Sequence, residues 1–227
     1  AGLESTADLK VARVEAFFEE RVGDITAVQH TIRLYDTVDK DFPILAGMAG
    51  DIPTPAHRKV VEDLATHLVA LERTYGYVDV FLADVDGTVV FSSNEAYTPK
   101  HVGAPLPGPD SKSFEEGRSG IYLGDVFRSA VSPNPFSMMI SAPIQGQDGS
   151  LAGVVAFEID IDPVYGFIQE TTGLGETGET LIARRTEAGA LFLNPLRHDP
   201  GAALTRKVLF GEKEAVPIQL ALQGRSG

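Results

Sequence analysis

The apolar side chains of the first part of the chain recur at spacings of three and four residues. This repeat predicts one long amphipathic helix over residues 8–40. Its apolar positions are Val11, Val14, Phe18, Val22, Ile25, Val28, Ile32 and Tyr35. Residues 47–55 are rich in Gly, Asp and Pro and interrupt the pattern. A second helix is then predicted from Thr54 or Pro55 to Tyr75, where Gly76 is placed to end it.

Beyond Gly76 the pattern changes to short apolar runs separated by turn residues. Strands are predicted at 78–83, 88–91, 121–128, 136–144 and 151–159. Asp-Gly turns at 84–87 and 146–149 join the first two strands and the last two as hairpins. Residues 94–120 predict a long surface loop with a short helix at 114–116. Helices followed by hairpin-linked strands indicate an α+β fold with an antiparallel sheet.

The last part of the chain begins a second set of elements. A short helix is predicted at 163–172, strands at 180–184 and 190–193, and a further helix at 216–223.

Composition excludes several classes of function. The net charge of −13 repels phosphate backbones, so no nucleic-acid partner is expected. The absence of cysteine excludes disulfides, thiolate catalysis and Cys-ligated zinc. The five histidines lack the spacing of metal ligands, so neither a metal nor a cofactor is expected. No apolar run approaches the roughly 20 residues that a membrane-spanning helix needs.

Residues 81–88 match the nucleophile motif of haloacid-dehalogenase-type phosphatases. In that chemistry Asp84 would attack phosphorus and Asp86 would handle the proton, with Mg²⁺ and a Lys or Arg completing the site. However, no Lys follows Ser141 until Lys207, and a strand continues directly after Thr88. A hairpin turn is therefore the preferred interpretation, and the phosphatase is kept as an alternative.

Residues 173–178 match the G-x-G-x-x-G pattern of dinucleotide-binding loops. Such a site needs a strand before the glycines and a helix after them. Here the order is reversed, because a predicted helix precedes and a strand follows. The glycines therefore predict a helix end and a tight connection.

The order of the remaining motifs carries a family resemblance. The hairpin D-x-x-G-x-V (84–89) is followed by G-D-V-F (124–127), A-P-I (142–144) and D-G-x-L-x-G-V-V (148–155). F-E-I-D (157–160), P-x-Y-x-F-I (163–168) and T-G-L-G-x-T-G-E-T (172–180) complete the series. Taken together these motifs resemble the extracytoplasmic double Cache sensor domains of bacterial and archaeal histidine kinases, diguanylate cyclases and chemoreceptors.

The resemblance implies a long helix packed on tandem PAS-like antiparallel sheets. Residues 1–75 would form a helical stalk, 76–170 the membrane-distal ligand-binding module, and 171–227 a partial membrane-proximal module. The second module is expected to be incomplete, because few residues remain for a closed sheet. The implied function is small-molecule sensing without catalysis, outside the cytoplasm, in a receptor anchored by segments absent here and dimerised through the N-terminal helix. A dimerisation module without a ligand remains the alternative.

Family members that bind amino acids hold the ligand carboxylate with an R-x-W-Y run and its amine with a Tyr and an Asp. In this chain Phe127 stands at the Tyr position and Glu158 at the Asp position, and the Arg-x-Trp pair is missing. Arg118 and Arg128 are the possible substitutes for the carboxylate clamp. The resemblance therefore leaves an amino-acid ligand in doubt.

A carboxylate at Glu158 ends an apolar strand and is costly to bury without a partner. One interpretation is a structural hydrogen bond to the loop of residues 94–120. The other is a pocket beneath that loop, favouring a cationic or polyhydroxylated ligand. The residues expected to line this pocket with Glu158 are Phe127, Asp125, Tyr122 and Ser141. Strand alternation places Asp125 and Phe127 on one face, whereas Tyr122 needs a bulge or an edge position to join them.

Overall fold

The computed structural model describes residues 2–34, 37–47, 54–108, 111–130, 132, 134–176 and 178–225. The chain forms two compact units. The central unit is Phe18–Ile161, and the terminal unit combines Ala1–Phe17 with Asp162–Gly227. The first helix is shared between them, and the division after the sheet falls at residue 161, whereas the sequence motifs place it at residue 170.

The helices and strands follow one another in a simple order. The helices are α1 (Gly2–Leu34), α2 (Thr37–Ala46), α3 (Pro55–Tyr75), α4 (Thr98–His101), α5 (Lys112–Gly117), α6 (Asp162–Gln169) and α7 (Val216–Ala221). The strands are β1 (Asp79–Ala83), β2 (Val89–Ser92), β3 (Tyr122–Leu123), β4 (Phe127–Arg128), β5 (Phe136–Gln145), β6 (Leu151–Asp160), β7 (Ala183–Arg185), β8 (Gly189–Phe192) and β9 (Lys207–Leu209). Among the described residues, no helix combines the length and apolar character that crossing a bilayer requires.

A six-stranded sheet forms the middle of the central unit. Its order is β2-β1-β6-β5-β3, and β4 also pairs with β5. Every pairing is antiparallel. The apolar runs at 80–83 and 154–157 form the middle strands β1 and β6, and all eight side chains are fully buried. The antiparallel α+β architecture expected from the order of the elements is therefore confirmed.

The connection between β1 and β2 is a hairpin turn, as predicted. One carboxylate oxygen of Asp84 accepts hydrogen bonds from the backbone N–H groups of Asp86 (3.0 Å) and Thr88 (2.9 Å). Gly87 has a φ of 88°, and a Cβ at this position would lie 2.9 Å from the ring of Phe114. Only glycine combines that backbone angle with that close approach. Asp84 is thus a turn-forming residue at the end of a strand that leads into another strand.

Helix α3 begins and ends where the sequence predicts. The hydroxyl of Thr54 accepts a hydrogen bond from the backbone N–H of His57 at 3.1 Å, which satisfies one free donor at the helix start. Gly76 adopts a φ of 71° and donates its N–H to the carbonyl of Glu72 at 2.8 Å. Both ends are therefore set by local sequence.

The helix predicted over 8–40 begins earlier than expected, because α1 starts at Gly2, and helical residues are present as far as Ala46 in α2. Residues 35 and 36, between α1 and α2, lie outside the described residues. Phe42 and Leu45 of α2 are 3% and 2% exposed. The ring of Phe42 lies against β6 at Gly153, where a Cβ would be 2.5 Å from it. Packing of Phe42 on β6 holds α2 against the sheet. The predicted stripe position Tyr35 lies outside the described residues.

The apolar stripe of α1 is buried mainly in the central unit. Ile25 is fully buried, and Ile32 is 5% exposed. In the terminal unit Val11 is 54% exposed, and at the boundary Phe17, not Phe18, is the buried phenylalanine. The sequence periodicity therefore located the helix but not its buried positions near the N-terminus.

The strand predicted at 121–128 is two short strands separated by a bulge. Tyr122 pairs with Ser141, whereas Phe127 pairs with Ser137. Phe127 follows Tyr122 by five residues, whereas their partners on β5 are only four residues apart. The edge with β3 and β4 therefore contains one extra residue, which is a β-bulge. Because side-chain direction alternates along a strand, this extra residue brings Tyr122 and Phe127 to the same face.

The terminal unit contains the sheet β7-β8-β9 with α6 and α7. Its core consists of Ala190, Phe192, Leu196, Ala202, Val208 and Ile218. The predicted strand at 180–184 is wrong at its start, because β7 begins at Ala183. Before β7 the backbone forms hydrogen bonds with the side chain of Asn194. This side chain accepts a hydrogen bond from the N–H of Ile182 (2.7 Å) and donates one to the carbonyl of Thr180 (3.2 Å). The glycine-rich loop follows α6 and precedes β7, so the order is helix, glycines and strand, as expected.

Lys10 of α1 is a buried cation within the terminal unit. It is 7% exposed. Its ammonium group donates to the carbonyls of Ile168 (2.7 Å) and Glu170 (2.5 Å) and to the hydroxyl of Thr180 (2.9 Å). Two of these acceptors are at the carboxyl end of α6, where a cation complements the helix dipole. All three of its N–H donors are therefore used to hold the unit together.

Candidate functional site

One face of the six-stranded sheet carries most of the residues selected from the sequence. Side chains of directly paired antiparallel residues lie on the same side of a sheet. Glu158 pairs with Asp79 on one side and Met139 on the other, so these three share a face. We call it the loop-covered face, because α4, Leu106 and α5 lie over it. Its side chains include Asp79, Phe81, Ser137, Met139, Ser141, Ala156 and Glu158.

The covering segment is attached to this face by apolar packing. Leu106 is buried in a cluster with Phe81 and Met139, and Phe114 of α5 packs against the same cluster. The ring of His101 from α4 meets Phe81 edge to face at a centroid distance of 5.0 Å. The described part of the segment predicted as a loop, residues 94–108 and 111–120, contains the two short helices α4 and α5.

Ser141 is used to dock α5. Its hydroxyl donates to the carbonyl of Ser113 at 2.6 Å, and its side chain is fully buried. Gly117 lies directly over it, because a Cβ there would be 2.6 Å from the Ser141 hydroxyl. Ser141 therefore lies on the predicted face but holds the covering segment in place.

Asp79 is a buried carboxylate whose oxygens are fully occupied. Its Oδ1 accepts from the backbone N–H groups of Ser93 (2.9 Å) and Asn94 (3.2 Å) and from the Ser93 hydroxyl (3.1 Å). Its Oδ2 accepts from the Ser92 hydroxyl at 2.6 Å and lies 3.3 Å from Nδ1 of His101. Asp79 thus joins the end of β2 and helix α4 to β1, and the cost of burying its charge is offset by these donors.

Glu158 is equally buried but lacks such partners. Its exposure is 0%, and neither carboxylate oxygen has a hydrogen-bond partner among the described residues. Burial raises the pKa of this carboxyl above its usual value, the nearby hydroxyls of Ser129 and Ser137 and the ring of His101 lower it, and Asp79 raises it further. The dominant cause is loss of hydration, which favours the neutral form.

The hydrogen bond from the loop of residues 94–120 to Glu158, which the structural interpretation requires, is not present among the described residues. The hydroxyl of Ser137, on the same face, is also buried without a partner there. Ser137 lies near Glu158, since Ser137 and Met139 are two residues apart on one face of β5 and Met139 pairs with Glu158. The Ser137 hydroxyl lowers the pKa of the Glu158 carboxyl but is not at hydrogen-bond distance from it. Unsatisfied polar groups in this number need a specific explanation.

The other predicted pocket residues lie nearby with different surroundings. Phe127 packs, half-buried, against the apolar cluster of the loop-covered face. Tyr122 is half-buried on the strand next to Ser141. Asp125 is half-buried in the bulge between β3 and β4.

The two arginines proposed as a carboxylate clamp stack on aromatic rings. Arg118 lies over Phe114 at 5.4 Å from the ring centre, and Arg128 lies over Phe136 at 4.7 Å. Both are exposed, and neither contributes to the pKa shift of Glu158.

Sequence reasoning missed Asp79, His101 and Ser137. Asp79 could have been found, because an acidic residue opening an otherwise apolar strand is the same signal that selected Glu158. His101 and Ser137 carry no such signal, since their positions depend on α4 and on the strand register.

Cavities lined by described residues occur in both units. In the terminal unit a cavity of about 480 Å³ lies between Lys10, Val14, Ile168 and Ile218. In the central unit a cleft of about 240 Å³ lies between α3 and β2, next to His57 and Phe91. Glu158 lines neither, because the covering segment is closed over it. The described residues also contain no group of three or more acidic or histidine side chains placed to hold a metal ion.

Comparison with solved structures identifies the fold. The sensor domain of the Vibrio cholerae histidine kinase DctB matches with a TM-score of 0.56 and 13% identity, covering 83% of this chain and 66% of that domain. The chain thus spans slightly less than two thirds of that domain. The fold of this chain is therefore similar to that of this sensor domain, and it agrees with the fold that the sequence motifs predict.

Two other sensor domains match with lower scores. The amino-acid chemoreceptor PctC of Pseudomonas aeruginosa, in complex with GABA, has a TM-score of 0.41 and 16% identity over 83% of this chain and 78% of that one. The Escherichia coli DcuS sensor domain has a TM-score of 0.38 and 16% identity over 59% of this chain and 95% of that one. At these scores neither match supports an argument about function. No protein-family model matches the sequence, and no curated protein matches it.

Proposed function

We propose that this chain is the ligand-sensing part of a membrane signalling receptor and binds a small molecule at Glu158 on the loop-covered face. The fold supports a sensor, since it is similar to that of the sensor domain of a histidine kinase. The observation that carries the site is the fully buried carboxyl of Glu158, both of whose oxygens lack a partner among the described residues.

The argument for a ligand rests on the contrast between two acidic residues in one pair. Asp79 and Glu158 lie opposite each other on neighbouring strands, and both are fully buried. Asp79 receives several close donors from the protein. The oxygens of Glu158 have no donor at hydrogen-bond distance among the described residues, although the hydroxyls of Ser129 and Ser137 lie near enough to lower its pKa. Burying an unpaired carboxyl is costly, and such costs are concentrated at binding sites where a ligand supplies the missing partner. Because Glu158 is covered, entry of the ligand requires α4 or α5 to move.

The test is a thermal-shift screen of the protein against a metabolite library. A ligand at about 100 times its Kd adds about 2.7 kcal/mol to the free energy of unfolding. We expect a hit whose affinity falls by more than about tenfold in Glu158→Gln, while the circular dichroism spectrum is unchanged. Glu116→Gln, an exposed change on α5, is the matched control. A hit that binds both variants equally would place the site elsewhere, and a screen without hits would favour a dimerisation module that needs no ligand.

The same proposal includes the receptor context. A histidine kinase, diguanylate cyclase or chemoreceptor would carry this domain outside the cytoplasm, held by membrane segments, and paired with a second copy through α1. Exposed apolar side chains on α1 support the pairing, since Leu9 and Val11 are 57% and 54% exposed. Sedimentation of Leu9→Glu/Val11→Glu against the unaltered protein tests it. A dimer that persists in the double variant would exclude this surface.

A further inference from the structure

The terminal unit contains a cavity of about 480 Å³, which is within the size range of small-molecule sites. Its walls come from α1, α6, α7 and the segment that leads into β7. Most of the lining side chains are apolar, and they include Val14, Ile168, Leu174 and Ile218. Spaces of this size are uncommon between closely packed elements, so this one needs an explanation.

The cavity opens to solvent beside α1. Val11 lines it and is 54% exposed, and Ala7, one helical turn earlier, is an exposed lining residue as well. On α7 the lining residue Ala221 is also exposed. A small molecule can therefore enter here without the movement of a covering helix that a ligand at Glu158 requires.

Polar groups in the lining are engaged by the protein itself. Lys10 directs all three of its N–H donors to protein oxygens, one of which is the hydroxyl of Thr180 at 2.9 Å. Oε2 of Glu179 accepts the backbone N–H of Arg197 at 2.8 Å. A polar ligand would have to replace these hydrogen bonds, so the lining favours apolar contact over polar recognition.

The charged side chains that line the cavity, among the described residues, carry both signs. Lys10 is a buried cation, whereas Glu15 and Glu179 are acidic. A cationic ligand would therefore meet the ammonium group of Lys10. An anionic ligand would meet two acidic groups and a cation whose donors are already used, and burying a charge without a committed partner is costly. A neutral molecule avoids this cost and removes apolar wall surface from water, which is favourable.

We propose that this cavity is a second binding site and that it takes a small, neutral and largely apolar molecule, of the class of simple aromatic compounds and medium-length alcohols. The site does not depend on Glu158, which belongs to the central unit. Together with the site proposed at Glu158, it gives the chain one binding site in each unit, for two ligands of different chemistry.

The charge of the ligand is tested with three probes that share one apolar chain. Octanol, octanoate and octylammonium compete with the neutral fluorescent dye N-phenyl-1-naphthylamine for the natural protein. We expect the dye to bind saturably and octanol to displace it at a concentration at least about tenfold lower than either charged probe requires. Equal or better displacement by a charged probe overturns the proposal, and so does a dye that does not bind.

The place of binding is tested with one substitution at three exposed alanines. Ala7→Trp and Ala221→Trp add an indole ring at the cavity from two different helices, whereas Ala16→Trp adds it to α1 at a residue that does not line the cavity. We expect each of the first two variants to weaken dye binding by at least about tenfold, and Ala16→Trp to change it by less than about twofold. Circular dichroism and thermal unfolding show which variants are folded, and either cavity variant suffices for the comparison. Equal dye affinity in the natural protein and a folded cavity variant overturns the proposal.

A second copy of the chain is the competing occupant, and sedimentation of the same variants tests it. A dimer of the natural protein that dissociates in both Ala7→Trp and Ala221→Trp would assign the cavity to a second copy and overturn the small-molecule site. Glu158→Gln should bind the dye with unchanged affinity, so the two proposed sites fail separately. Loss of dye binding in Glu158→Gln would contradict a site confined to the terminal unit.

Discussion

Glu158→Gln should change how the stability of the free protein depends on pH. The two side chains have nearly the same shape, but only glutamate can ionise. Burial raises the pKa of Glu158 in the folded protein, whereas in the unfolded chain it titrates near its ordinary value of about 4.3. The structure therefore predicts that the folded protein holds a proton over a pH range in which the unfolded chain has lost it.

This difference in pKa fixes the sign and size of the change in stability with pH. Below about pH 4 the carboxyl is neutral in both states, so ionisation contributes nothing to the comparison. As the pH rises, the unfolded chain ionises first, and the natural protein loses stability relative to Glu158→Gln by up to about 1.4 kcal/mol per pH unit. The loss stops at the folded pKa, so the pH at which the difference levels off measures that pKa. A constant offset from the glutamine amide does not depend on pH and leaves the slope unchanged.

Urea unfolding followed by circular dichroism, from about pH 4.5 to about pH 8 at constant ionic strength, measures the difference. Glu116→Gln on the exposed side of α5 should show no comparable slope. The reasoning is refuted if the difference between the natural protein and Glu158→Gln is constant over this range. It is also refuted if the natural protein gains relative stability as the pH rises, because that would mean a protein donor already pairs with the carboxylate.

Three further predictions test the packing around the two units. Lys10→Met should destabilise the terminal unit by about 2–4 kcal/mol, because three buried or partly buried hydrogen bonds are lost. Arg13→Met, the control on the same helix, breaks an exposed ion pair and should cost less than about 0.5 kcal/mol. Equal losses of unfolding free energy in urea titrations of the two variants would contradict this prediction. Gly117→Ala should lower the free energy of unfolding by about 1–3 kcal/mol, because the added Cβ pushes α5 away from the sheet. Gly120→Ala, with nothing within 4 Å of its Cβ position, should be nearly neutral. Comparison of the thermal unfolding of the two variants tests this prediction. Asp84→Ala should lower the free energy of unfolding by about 1–2 kcal/mol, because two hydrogen bonds of the turn are lost. Mg²⁺-dependent phosphate release should stay at background in the natural protein and in the variant. Phosphate release by the natural protein that disappears in Asp84→Ala would favour the phosphatase alternative.

Local features of the fold could be predicted because they depend on neighbours in the sequence. The ends of α3 at Thr54 and Gly76 involve partners within four residues. The turn after β1 likewise involves only residues 84–88. Interactions of this range are specified by the residue types themselves, and all three features were predicted correctly.

The bulge between β3 and β4, in contrast, could not be predicted from local sequence. Nothing in residues 121–128 indicates the extra residue, which follows from how both short strands align with β5. Register depends on packing against a strand elsewhere in the chain, and a shift by one residue reverses which side chains face the interior. The predicted group of Tyr122, Phe127 and Ser141 shares one face only because of this alignment.

The sequence by itself determined that this protein is an α+β chain of helices followed by hairpin-linked strands, and that Glu158 is a carboxylate placed in an apolar strand. Periodicity and turn residues are properties of a single segment, so they can be recognised without knowing the structure of the rest of the chain. Only the tertiary structure decided that Asp79 lies opposite Glu158, because the two are far apart in the chain and meet through strand pairing. The donors that fill Asp79 come from residues 92–101, and the same packing leaves Glu158 without one among the described residues. Which of two buried carboxyls is satisfied depends on long-range packing, and no local pattern encodes it.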